Sequence, residues 1–104
     1  RRVDFTLILT VDIGNTNITL GGFLNDKLNF VARLSTDGGK TADEYAIDLK
    51  DVLALNGFSG KINGAVISSV VPELTRAFKD AIKKVAKDRN IPKRDVYTET
   101  IKEN

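Results

Sequence analysis

One short segment of the sequence combines a carboxylate with a cluster of small polar residues. Asp12 is the only charged residue of the apolar segment Leu7–Ile13, and directly after it comes Gly14-Asn15-Thr16-Asn17. A carboxylate inside a buried strand is costly unless it is paired, solvated at the strand end or bound to a cation. The turn offers amide and hydroxyl donors and backbone N–H groups, which can surround an anion such as phosphate. Asp12 is a candidate Mg²⁺ ligand beside such an anion. The same residues also fit an ordinary hairpin turn with a solvated aspartate.

Two serines form a second candidate. Ser68 and Ser69 end a short apolar segment, and α/β sheets tend to bind ligands at the carboxyl ends of parallel strands. The two hydroxyls therefore fit contacts on the substrate side, and they fit equally well as caps of a helix that Pro72 begins. Arg33 and Lys40 are possible sources of positive charge, although both positions are more typical of a solvated surface.

The composition excludes several kinds of chemistry. The 104 residues include no cysteine and no histidine, so a disulfide framework, a thiolate nucleophile, a zinc site and a Ser-His-Asp triad are ruled out. There are 16 basic and 14 acidic residues, a net charge of +2, and we therefore expect neither nucleic acid nor a membrane surface as partner. No apolar run approaches the roughly 20 residues of a membrane helix, and no signal-peptide pattern is visible.

The hydrophobic pattern predicts seven elements in the order β-β-β-α-β-α-β. Four of the five strands are expected at residues 7–13, 18–24, 62–69 and 96–101. The third strand in chain order is expected where Leu28, Phe30, Ala32 and Leu34 alternate along the sequence. The first helix begins at a capping box, Thr41 with Glu44, and ends at Asn56-Gly57. The second runs from Pro72 to Ile91-Pro92. The first strand is nearly all apolar, which predicts burial on both faces.

The connections predict the topology. The fourth and fifth strands each follow a helix, so right-handed crossovers should place them parallel to the first strand. The expected sheet is mixed and five-stranded, with the order 3-2-1-4-5 and the first strand at its centre. Residues 1–104 are therefore expected to form a single α/β domain of ribonuclease-H-like topology.

Four segments of the sequence together resemble a known family. They are Asp12-Ile13-Gly14-Asn15-Thr16-Asn17, Leu34-Ser35-Thr36-Asp37, Thr41-Ala42-Asp43-Glu44-Tyr45 and Ile67-Ser68-Ser69-Val70-Val71-Pro72. In order and approximate spacing they resemble the amino-terminal half of type III pantothenate kinases, over residues 7–82. The first segment alone is shared across the acetate-and-sugar-kinase, Hsp70 and actin superfamily, whereas the four together are specific.

The resemblance implies an activity and a role for the first segment. Type III pantothenate kinases transfer the γ-phosphoryl group of ATP to pantothenate in coenzyme A biosynthesis, which implies ATP and Mg²⁺ as cofactors and a cytoplasmic location. The segment from Asp12 to Asn17 matches the family's first phosphate loop, which contacts the ATP phosphates and the metal. Phosphoryl transfer depends on positioning and charge stabilisation, so the absence of histidine is no obstacle.

The resemblance also implies missing parts. The family's second domain carries a G-x-D-R segment, whose Asp is the catalytic base, and a later D-x-G-T motif, and neither occurs in this sequence. The stretch from Lys83 to Asn104 also departs from the family's pattern. No catalytic residue is therefore assigned. We expect the isolated chain to be inactive as a kinase, to bind nucleotide weakly or not at all, and to need a second kinase domain or a homodimer partner.

Three alternatives remain open at this point. The chain can be an engineered or ancestral-like half domain that self-associates without catalysis, or a structural or regulatory module. In such a module, Asp12→Asn is expected to be tolerated or to raise stability, because a buried charge is removed. A ribonuclease-H-like nuclease would draw on Asp12 with Glu44 or Asp48 as metal ligands. The nuclease is disfavoured because the fourth strand ends in serines and no basic stripe is present.

Overall fold

The computed structural model describes residues 6–88 and, through their backbone pairing, residues 97–102. The elements in chain order are β1 Leu7–Ile13, β2 Asn17–Leu24, β3 Lys27–Ser35, α1 Ala42–Leu55, β4 Ile62–Ser69, α2 Pro72–Asp88 and β5 Tyr97–Lys102. The predicted α/β fold with a mixed sheet and two helices is confirmed. The predicted end of α2 at Ile91-Pro92 and the predicted start of the last strand at Val96 lie outside the described residues.

The sheet has the order β3-β2-β1-β4-β5, with β1 at its centre. β2 pairs antiparallel with β1 and with β3, while β4 pairs parallel with β1 and with β5. The structure describes the side chains of β1 to β4 and only the backbone pairing of β5. The carboxyl ends of β1 and β4 therefore lie side by side, and the β1–β2 turn lies at the same edge.

The prediction that β1 is buried on both faces is wrong. Leu7, Leu9, Val11 and Ile13 are buried, but the alternate side chains are not: Ile8 and Thr10 are half-buried and Asp12 is exposed. The reason is the handedness of the crossovers. The connections through α1 and α2 both move in the same direction across the sheet, so right-handedness places both helices on one side. We call the other side the open face, since no helix of the described residues covers it.

The helices pack on the covered face of the sheet through their apolar side chains. Thr41 Oγ1 accepts from the Glu44 N–H at 3.1 Å and Glu44 Oε1 accepts from the Thr41 N–H at 2.8 Å, so the predicted capping box is present. After α1, Gly57 has a φ of +73°, a left-handed conformation that glycine adopts at little cost. The helical side chains buried in the core are Tyr45, Ala46, Leu49, Val52, Leu53, Leu74, Phe78, Ala81, Ile82, Val85 and Ala86.

A β-bulge shows that one detail of the predicted third strand is wrong, because Leu28 and Phe30 do not share a face. The pairing of β2 with β3 shifts by one residue between Gly22 and Phe23, so that Gly22 faces Phe30 and Phe23 faces Leu28. An extra residue on one strand reverses the direction of the side chains beyond it. Phe30 is therefore buried under the helices, while Leu28 lies on the open face and is 55% exposed. In the part of the chain that the structure describes, neither helix combines the length and the apolar character that crossing a membrane requires.

Candidate functional site

The β1–β2 connection is a short exposed turn at the carboxyl edge of the sheet. Ile13 pairs with Ile18, and within the turn the Gly14 N–H donates to the Asn17 carbonyl oxygen at 2.9 Å. Asn15, Thr16 and Asn17 are exposed. The backbone N–H groups of Asn15 and Thr16 donate to no acceptor among the described residues. The turn therefore presents two backbone donors to solvent, together with the amide and hydroxyl side chains.

The turn is attached to two neighbouring segments. The Thr36 hydroxyl donates to the Gly14 carbonyl oxygen at 2.8 Å, and the Thr36 N–H donates to the Thr16 carbonyl oxygen at 2.9 Å. The Val70 N–H donates to the Ile13 carbonyl oxygen at 3.0 Å. Sequence reasoning noted the segments that contain Thr36 and Val70 only as parts of a resemblance, without assigning either residue a role.

Asp12 lies on the open face, one residue before the end of β1. Its strand neighbours in register are Thr19 on β2 and Ser68 on β4, and Thr19 in turn faces Arg33 on β3. Two strand spacings of about 4.8 Å separate Asp12 from Arg33, so their Cα atoms lie roughly 10 Å apart on the same face. The carboxylate is exposed. The expectation that Asp12→Asn would raise stability by removing a buried charge therefore loses its basis.

The two serines point in opposite directions. Ser68 is half-buried and shares the open face with Asp12. Ser69 is only 2% exposed, and its hydroxyl accepts from the Val71 N–H and donates to the Val71 carbonyl oxygen, both at 3.0 Å. Ser69 therefore fixes the backbone of Val71, the residue before α2, and its hydroxyl bonds no N–H group of the helix itself. The structure brings Asp12, the turn and Ser68 together, and it separates Ser69 from them.

Lys40 does not point toward the turn. Its Nζ lies 2.6 Å from the Asp48 carboxylate and 5.5 Å from the centroid of the Tyr45 ring. The hydrogen bond to Asp48 raises the pKa of Lys40 above its ordinary value, so the lysine stays charged near neutrality and beyond. The nearest basic side chain that shares a face with Asp12 in the strand register is therefore Arg33.

The acids that a nuclease would need are dispersed. Glu44 belongs to the capping box of α1 and Asp48 is paired with Lys40, and α1 lies on the covered face, opposite Asp12. Residues 6–88 hold no group of three or more His, Cys, Asp or Glu side chains that could bind a metal ion. These residues therefore do not form a site for two neighbouring metal ions. At Asp12 they form only a single carboxylate with neighbouring hydroxyls.

Comparison with known proteins agrees with the resemblance over most of the chain, but the family model continues to residue 101, past the departure that was expected from Lys83 onward. The family model described as type III pantothenate kinase matches residues 8–101. A type III pantothenate kinase of Finegoldia magna is 46% identical over 79 residues, which is 75% of this chain and 30% of the relative. A second, from Moorella thermoacetica, is 42% identical over 79 residues, 75% of this chain and 31% of the relative. The chain thus spans under a third of the length of the curated relatives that it matches.

Solved structures show likeness in fold. A Bacteroides thetaiotaomicron protein of unknown function with an actin-like ATPase fold superimposes with a TM-score of 0.57 at 10% identity, over 88% of this chain and 32% of that one. Thermus thermophilus RuvC superimposes with a TM-score of 0.51 at 17% identity, over 90% of this chain and 61% of RuvC. At these identities the two structures establish the shared fold alone.

Proposed function

The chain belongs to the type III pantothenate kinase family, and on that premise we propose that it is the amino-terminal, ATP-phosphate-binding part of an enzyme that phosphorylates pantothenate. The observation that carries the proposal is the exposed turn of residues 14–17, with its two unpaired backbone donors. The Asp12 carboxylate lies directly before the turn on an exposed surface. Donors and a carboxylate at one edge of a sheet fit a phosphate chain with its metal ion.

The residues around Asp12 have the chemistry that Mg²⁺ requires. Mg²⁺ is bound by oxygen, through one or two carboxylates, waters and substrate phosphates. Asp12 supplies one carboxylate, and the hydroxyls of Thr19 and Ser68 flank it in the strand register. When bound, the metal neutralises charge on the phosphate oxygens. Arg33, on the same face, adds a fixed positive charge toward the same anion.

The turn contributes positioning. The N–H groups of Asn15 and Thr16 are fixed dipoles that can donate to phosphate oxygens, and such preorganised donors need no rearrangement when charge develops. The transfer itself needs a base for the pantothenate hydroxyl, and we assign no residue of this chain to that role. We propose that a second kinase domain, or a homodimer partner, supplies the base and the opposite wall of the nucleotide cleft. The isolated chain is then inactive and binds Mg-ATP on the order of 1 mM or more weakly.

The metal role of Asp12 predicts how ATP binding depends on Mg²⁺. In NMR titrations of the labelled chain, we expect Mg-ATP to bind about tenfold more tightly than metal-free ATP, since Asp12 would hold the metal ion, which would neutralise negative charge beside the carboxylate. Asp12→Asn is expected to abolish this difference. Its stability is expected to change by less than about 0.5 kcal/mol, because the side chain is exposed.

A matched control is available at the other end of the sheet. Asp26 is also an exposed aspartate, in the turn between β2 and β3, and its φ of +70° is one that asparagine tolerates well. Asp26→Asn should keep the full difference between Mg-ATP and metal-free ATP. If Asp12→Asn and Asp26→Asn showed the same difference in affinity between Mg-ATP and metal-free ATP, that result would contradict the metal role of Asp12.

A further inference from the structure

We propose that Thr36 is a positioning residue that fixes the phosphate-binding turn, and that Tyr45 anchors Thr36 to the helix layer. This inference rests on the proposed function, since it assigns the turn a ligand. The first observation is that Thr36 bonds to both sides of the turn. Its hydroxyl donates to the Gly14 carbonyl oxygen at 2.8 Å and its N–H donates to the Thr16 carbonyl oxygen at 2.9 Å.

The planarity of the peptide bond explains what these bonds do. The carbonyl of Gly14 and the N–H of Asn15 belong to one trans peptide unit, so they point in opposite directions. A hydroxyl that holds the Gly14 carbonyl toward β3 therefore holds the Asn15 N–H away from β3, toward solvent. Thr36 thus orients the donor that the proposed function assigns to phosphate, without contacting the phosphate itself.

Thr36 is held in turn by the buried phenol of α1. Tyr45 is fully buried, and its hydroxyl donates to the Asp37 carbonyl oxygen at 2.8 Å and accepts from the Asp37 N–H at 3.1 Å. A hydroxyl that both donates to and accepts from one residue fixes the backbone at that residue. The Tyr45 ring packs 5.0 Å from the ring of Phe78 on α2. A continuous series of contacts therefore leads from the core through Tyr45, Asp37 and Thr36 to Gly14.

These hydrogen bonds are not needed merely to satisfy the polar groups of the loop. Asp37 is exposed, so water could hydrogen-bond its backbone groups instead. The Tyr45 hydroxyl instead makes both of its hydrogen bonds to Asp37, and both Thr36 hydrogen bonds are made to the β1–β2 turn. The arrangement restrains one backbone segment, residues 14–16, which is the segment with unpaired donors.

The test compares Thr36→Val with Thr36→Ser in the full chain. Valine keeps the branched shape and the backbone N–H but removes the hydroxyl bond to Gly14, whereas serine keeps that bond. We expect Thr36→Val to weaken Mg-ATP binding about tenfold in an NMR titration, while Thr36→Ser stays within about twofold of the original chain. Tyr45→Phe, which removes both bonds to Asp37, is expected to weaken binding by a smaller factor of roughly three to five.

Thr75→Val is the control for losing a threonine hydroxyl elsewhere. Thr75 lies in the first turn of α2, and its hydroxyl makes only a long bond of 3.5 Å to Val71. This variant should bind Mg-ATP as the original chain does. Unchanged affinity in Thr36→Val, or equal losses in Thr36→Val and Thr36→Ser, would overturn the inference.

A second readout separates this inference from the proposed function. Backbone ¹⁵N order parameters at Asn15 and Thr16, measured without nucleotide, are expected to fall in Thr36→Val and to recover in Thr36→Ser. If the original chain binds no Mg-ATP, the proposed nucleotide binding by this chain on its own is refuted, and these order parameters alone decide whether Thr36 fixes the turn. Order parameters that are the same in all three chains would then refute the role of Thr36 as well.

Discussion

Replacing Phe78 with alanine is expected to lower the free energy of unfolding by about 3–5 kcal/mol. Phe78 is fully buried at the centre of α2, and its ring meets the ring of Tyr45 at a centroid distance of 5.0 Å and a tilt of 43°. The variant loses the transfer free energy of the ring, leaves a cavity between the helices and removes a favourable aromatic pair. Since domains of this size have total stabilities of roughly 5–15 kcal/mol, this is the largest single loss that we predict.

Urea unfolding followed by circular dichroism measures the effect. The control is Arg76→Ala on the same helix, because Arg76 is exposed and its change should stay within about 0.5 kcal/mol. A loss below about 1 kcal/mol for Phe78→Ala would contradict the packing of α2 against α1. Because Phe78 supports Tyr45, the variant is also expected to loosen the turn at residues 14–16 before global unfolding.

Gly22→Ala is expected to destabilise the chain by about 1–3 kcal/mol. Gly22 on β2 lies directly opposite Phe30 on β3, and the Phe30 ring covers the glycine backbone. A Cβ built on Gly22 would overlap three atoms of that ring, so the ring must leave its position under the helices. Phe30 is only 7% exposed, which means that its displacement disturbs the core.

Gly38→Ala is the matched control for this change. A Cβ on Gly38 meets nothing within 4 Å and the residue lies in an exposed loop, so alanine there should be neutral or slightly stabilising. In a Phe30→Ala background, the additional cost of Gly22→Ala is expected to disappear, since the clashing ring is absent. Similar unfolding midpoints for Gly22→Ala and Gly38→Ala would show that the ring does not lie over the glycine.

Sequence periodicity predicted the elements because each has a strong local signal. The capping box at Thr41 and Glu44, the helix stop at Asn56-Gly57 and the helix start at Pro72 all depend on residues close together in the chain. The position of the Phe30 ring over Gly22 depends instead on the register between β2 and β3, which local patterns do not fix.

The errors have a common physical origin in the two faces of the sheet. An apolar segment such as Leu7–Ile13 does not reveal which face the helices cover, and so it left open whether Asp12 is buried or solvated. The role of Thr36 depends on contacts with residues 14 and 16, which only the strand pairing brings close. For Ser68 and Ser69 a signal was available, because adjacent residues of a strand face opposite sides. That alternation predicts that only one of the two serines can share a face with Asp12.

Phosphate binding at the turn between β1 and β2 can be tested with an NMR map of backbone amide shifts during titration with Mg-ATP. We expect the largest shifts at Asn15 and Thr16, and we expect them to follow one saturating curve and to shrink in Thr36→Val. The groove between α1 and α2, lined by Lys50, Lys84 and Lys87, is the alternative place for an anion. Largest shifts at that groove, with the turn amides unmoved, would show that phosphate does not bind at the turn.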